Sequence, residues 1–86
     1  GLKPQAYLTH MQTSANDFVA GEGLLMAPTI AVSCMLDRAG LQLQDFDYYE
    51  IHEAFAAQVL CTLRAWESES FGRDRLGLAG AFGAID

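Results

Sequence analysis

Phe46-Asp47-Tyr48-Tyr49-Glu50-Ile51-His52-Glu53-Ala54-Phe55-Ala56-Ala57 is the stretch on which the reading of this 86-residue chain turns. Phe46, Tyr48, Tyr49 and Ile51 predict a buried strand, interrupted only by Asp47 and Glu50. A helix is predicted to follow at once, from about Ala54 to Glu67. His52 and Glu53 stand side by side at the junction. In α/β proteins ligands collect at the carboxyl ends of strands, where helix N-termini also direct their free N–H groups. A titratable pair at such a corner is the first place to look for chemistry.

The segment before the junction predicts the rest of a crossover. Pro28 suits the first turn of a helix, where its missing N–H would have no partner. Ala31, Val32, Met35, Leu36 and Ala39 then share a stripe, with Thr29, Ser33 and Asp37 opposite. Gly40 supplies the left-handed stop. Further upstream, Gln5 to Ser14 predicts a strand with rough alternation through Ala6, Leu8 and His10, and His10 reads as a partly exposed strand residue. Gly21-Glu22-Gly23 punctuates a loop. Strand, helix, strand, helix is the α/β order, with residues 41–45 as the connector.

In the second helix Phe55, Ala56, Ala57, Val59, Leu60, Cys61, Leu63 and Trp66 cover most of the circumference, broken by Gln58, Thr62 and Arg64. A helix apolar all round is buried on several sides, so a second layer or another chain is expected to cover it. Residues 68–86 read as a loop-like tail. Its glycines, Gly72, Gly77, Gly80 and Gly83, lack the Lys-Ser/Thr ending of a phosphate loop.

Composition narrows the function classes. Half the residues are hydrophobic and the net charge is -6, with five basic residues that form no cluster, which argues against nucleic acid. Cys34 and Cys61 show no metal-ligand or redox spacing and are expected as reduced core or interface residues. No apolar run is long enough to span a membrane and no signal peptide opens the chain, so a cytoplasmic protein is expected, mitochondrial if eukaryotic. The first residue is Gly rather than Met, which points to an engineered, processed or excised piece.

His52 has four readings from its residue type: proton shuttle, oxyanion-hole donor, metal ligand or structural hydrogen-bond partner. A metal would need further ligands, and only His10 and scattered carboxylates are present. Neutral histidine donates one hydrogen bond to a substrate oxygen or positions a water. Glu53 suits the positive end of a helix dipole and can be a helix-start residue only.

Tyr49-Glu50-Ile51-His52-Glu53-Ala54-Phe55-Ala56 resembles the (I/V)E-(I/V)-(N/H)-E-A-F-A signature of the thiolases, the acyl-CoA:acetyl-CoA acyltransferases. Gly23-Leu24-Leu25-Met26-Ala27-Pro28 through Asp37-Arg38-Ala39-Gly40, and the connector Leu43 to Asp47, resemble the elements before that signature. The likeness covers about residues 6 to 67. It implies part of one half of a layered αβαβα fold, from the first half of the C-terminal domain, in a family of dimers and tetramers. It further implies an enzyme that makes or cleaves 3-ketoacyl-CoA through an acyl-cysteine, needing no cofactor beyond coenzyme A thioesters as substrates. His52 matches the histidine version of the signature, found in thiolases similar to the β-subunit of the fatty-acid oxidation trifunctional complex. The resemblance gives it a water in the oxyanion hole. Phe55 is implied to line the acyl pocket, with Met26 or Leu24, and Glu53 to fix the junction.

The departures matter equally. The nucleophilic cysteine motif, the Gly-His-Pro segment and the Cys-x-Gly segment of the family have no match here. Cys34 and Cys61 fit neither cysteine motif, so these 86 residues alone are expected to be inactive and to need the remaining thiolase domains. Two alternatives stay open. One is a fragment of a ketoacyl synthase, although that family's comparable strand ends in His-Gly-Thr-Gly-Thr rather than His52-Glu53-Ala54-Phe55. The other is a non-enzymatic helix/strand interaction module with the apolar helix as its partner surface.

Overall fold

A computed structural model describes residues 1–85. Helix α1 spans Ala27–Ala39, α2 Ala56–Glu67 and α3 Glu69–Asp74, with a 3-10 turn at Leu43–Asp45 between the first two. α1 begins and ends as its sequence dictates. Pro28 sits in the first turn, and Gly40 takes φ 68° at the stop. The Leu41 N–H donates to the Leu36 carbonyl at 2.9 Å and the Gly40 N–H to that of Asp37 at 3.2 Å, the paired hydrogen bonds of a Schellman ending.

The two expected strands do not form. Among the described residues there is no strand, and no backbone–backbone hydrogen bond joins residues 1–15 or 47–54 to another segment. A strand is defined by its ladder, and these segments pair with no other described segment. The side chains of Phe46, Tyr48, Tyr49 and Ile51, expected in a core, are exposed to 40%, 90%, 37% and 38%. The connector is held instead by the Tyr49 hydroxyl donating to the Leu43 carbonyl.

α1 is turned relative to its expected stripe. Thr29 and Ser33, placed by the sequence on the outer face, are buried together with Leu36. Each hydroxyl donates back to its own helix, Thr29 Oγ1 to the Met26 carbonyl at 2.6 Å and Ser33 Oγ to that of Ile30 at 2.9 Å. Thus satisfied, these small side chains allow α2 to approach closely. Trp66 of α2 fills the space, its indole N–H donating to the Thr29 carbonyl at 3.1 Å. Leu36, Leu43 and Trp66 form the core, with Val32, Met35, Leu63 and Phe82 packed around them.

The tail departs from the loop-like expectation. Ser68 caps α3 by accepting from the Phe71 N–H at 3.2 Å, and Phe82 and Ile85 pack back against the core. The Gly83 N–H bonds the Trp66 carbonyl at 3.0 Å, and Phe82 meets the Trp66 ring edge-on with centroids 5.9 Å apart. Gly72 carries no Cβ because one would collide with the Gly80 carbonyl. Both cysteines are free and exposed, not core residues. The apolar surface of α2 around Leu60, 62% exposed, is uncovered in this chain.

Candidate functional site

α2 starts later than its sequence suggests. Phe55 is its N-cap, with extended φ and ψ of -142° and 133°, so Ala56 is the first helical residue. A β-like cap ahead of the first turn fits the extended segment that enters it. Glu53 therefore lies outside the first turn, in the exposed connector, and His52 one residue further out. Among the described residues neither side chain is hydrogen-bonded within the chain, which leaves the imidazole free to face a ligand or a water.

His52 lines a cleft of about 410 Å³ between the start of α1 and α2. Leu24, Leu25 and Pro28 supply one wall, Ile51 and His52 another, and Gln58, Val59 and Trp66 the floor. Its surface is mostly apolar, with Glu50, His52, Gln58 and Thr62 as the polar exceptions. A largely hydrophobic cleft with few convergent polar groups is what a small-molecule site offers.

The other site candidates fall elsewhere. Met26 lines a separate open depression with Cys61 and Arg75, and Phe55 is 64% exposed, outside the His52 cleft. Leu24 is the candidate wall that shares the cleft with His52. His10 is exposed and lies near the end of α1 with Met35 and Arg38. Among the described residues no group of three or more His, Cys, Asp or Glu side chains comes close enough to hold a metal ion.

The loop that carries Leu24 and Leu25 is built with care. Gly21 and Gly23 take positive φ of 94° and 88°, which L side chains seldom adopt. The Glu22 carboxylate accepts the Asp17 N–H and receives Arg75 on both oxygens, Nε at 2.7 Å and Nη2 at 3.3 Å. The Arg75 hydrogen bond first, and the Asp17 N–H second, hold the Glu22 carboxyl below its ordinary range. Asn16 donates to the Gly23 carbonyl, and Ser14 to that of Ala27 at 2.6 Å.

Sequence reading passes over Gln58 and the Glu22–Arg75 pair. Gln58 had a signal, since it is the first polar residue to interrupt a mostly apolar helix. The ion pair had none, because its members lie 53 residues apart.

A sequence model of the family described as "Thiolase, C-terminal domain" matches residues 2–85. The chain is 42% identical over 85 residues to a "Probable 3-ketoacyl-CoA thiolase" of Caenorhabditis elegans, covering 99% of this chain and 18% of that protein. It is also 42% identical over 86 residues to the 3-ketoacyl-CoA thiolases of Yersinia enterocolitica and Photorhabdus laumondii, covering 100% of this chain and 19% of each. The chain thus spans roughly a fifth of the length of the curated relatives it matches. No described helix is long and apolar enough to cross a membrane.

Proposed function

The chain belongs to the thiolase family through its C-terminal domain, and from that premise we propose that it is a segment of an acyl-CoA acyltransferase that cleaves or forms 3-ketoacyl-CoA. The observation that carries the reading is the position of His52, on the wall of an apolar cleft and free of any partner within the described chain. In this reading the imidazole N–H holds a water, or the substrate oxygen directly, where a thioester or enolate oxygen gathers negative charge. A fixed donor at that point stabilises the transition state more than the ground state. Leu24 and Ile51 line the cleft for an acyl chain, Phe55 and Met26 become pocket walls in the assembled site, and Glu53 fixes the corner.

The nucleophilic cysteine and the proton-shuttling groups come from the remaining thiolase domains. Cys34 and Cys61 take no part. No cofactor is required beyond the coenzyme A thioester that serves as substrate. The assembled protein is a homo-oligomer in the cytoplasm, or in the mitochondrion of a eukaryote.

Two measurements test this. In the full-length enzyme that carries the segment, His52→Ala should lower kcat by about 10²–10³, the usual effect of removing an oxyanion donor. His52→Asn, which keeps an N–H donor, should retain much of the rate. Equal loss in both variants would remove the donor role. The isolated 86 residues should not convert acetoacetyl-CoA and free coenzyme A into two molecules of acetyl-CoA, and turnover there would overturn the dependence on other domains.

A further inference from the structure

We propose that Gln58 is a positioning residue that sets the width of the His52 cleft and so the acyl chains it admits, an assignment that rests on the acyl-CoA reading above. Gln58 sits in the first turn of α2, half-buried in the floor of the cleft. Its amide nitrogen donates to the Leu25 carbonyl at 2.6 Å and to the Thr62 hydroxyl at 3.0 Å. Both hydrogens of one NH2 group are thus used, one on the loop and one on its own helix. Thr62 is buried, which fixes the amide from below.

The loop needs such an anchor. Leu24 and Leu25 are 69% and 40% exposed, so packing alone does not hold them against the cleft. On its far side the loop is held by the bidentate Glu22–Arg75 pair. On the cleft side the Gln58 bond to Leu25 is the cross-element hydrogen bond that ties the leucine wall to the helix floor. Losing it frees that wall to move away from His52. Long or branched acyl groups then gain room and short ones lose contact, while the donor atoms of His52 stay in place.

The test uses the full-length protein with two variants. Gln58→Glu keeps the shape but replaces the NH2 donor by an acceptor, and Gln58→Met keeps the length without any polar group. Hydrogen–deuterium exchange of the peptide spanning residues 22–29 should rise about tenfold in both, because local opening controls exchange. This readout does not depend on catalysis. The ratio of kcat/KM for long against short 3-ketoacyl-CoA substrates should shift by about tenfold, the size of a methylene-scale change in a pocket. His52→Ala should instead lower the rate for every chain length and leave that ratio unchanged. Unchanged exchange in the folded variants, or a uniform loss of rate with an unshifted ratio, would overturn the role of Gln58. Absence of thiolysis in the unmodified enzyme would overturn the acyl-CoA reading and with it the selectivity role, leaving the exchange data to decide the anchor alone.

Discussion

Gly21 and Gly23 show how one atom separates two otherwise similar positions. Both hold left-handed backbone, but a Cβ on Gly21 would meet nothing within 4 Å, whereas one on Gly23 would lie 2.8 Å from Met26 Cγ. Gly21→Ala should therefore cost only the conformational term, about 1–2 kcal/mol. Gly23→Ala should cost more, by whatever the Met26 side chain must shift, and thermal unfolding of the pair would read the difference. Trp66→Phe is a third probe. It keeps the ring and removes the N–H, leaving the buried Thr29 carbonyl without that donor, and should destabilise by about 1–3 kcal/mol. His52 belongs to this scale too. The signature around it singles it out in the sequence, while its freedom from internal partners is visible only in three dimensions.

At the scale of elements, legibility followed the range of the determining interaction. α1 is set by Pro28 and Gly40, which act within a few residues, and both ends fall where those residues predict. The burial of Thr29 and Ser33 was hidden because hydroxyls that bond back to their own helix look polar in sequence and behave as small neutral surface in the fold. The strands expected at residues 5–14 and 46–51 are not seen for another reason: a ladder is a property of two segments, and neither segment pairs with another among the described residues. α3 was masked by the glycines after it, although Ser68 is an ordinary helix cap. The Glu22–Arg75 pair joins the leucine loop to the end of α3 and gives this scale a pH dependence. Its carboxyl is depressed in the fold, so its contribution is present above the ordinary carboxylate range and is lost as pH falls through the lowered value. The melting-temperature gap between the unmodified chain and Glu22→Gln should be open at neutral pH and close on acidification. A gap independent of pH would assign the effect to packing.

The whole molecule carries the signature of a part. Its accessible surface is 6666 Å², against roughly 5,000 Å² expected for a self-contained chain of this mass. Its radius of gyration is 14.1 Å where about 12 Å is typical for this length. Leu2, Tyr7, Leu8 and Met11 in the first fifteen residues, Phe55 at the start of α2 and Leu60 within it are all more than half exposed. The isolated chain should therefore self-associate, and light scattering that returned a folded 9.4 kDa monomer would contradict this. The covering expected for α2 from its all-round apolar sequence thus has its counterpart in bare surface. One consequence concerns the tail. Trp66 is the only tryptophan in the sequence, and it is buried where α1, α2 and Phe82 converge. The chain therefore carries its own optical gauge: release of the last residues would wet the indole and move its emission to longer wavelength. Docking of the tail can be followed by light alone, with no label added.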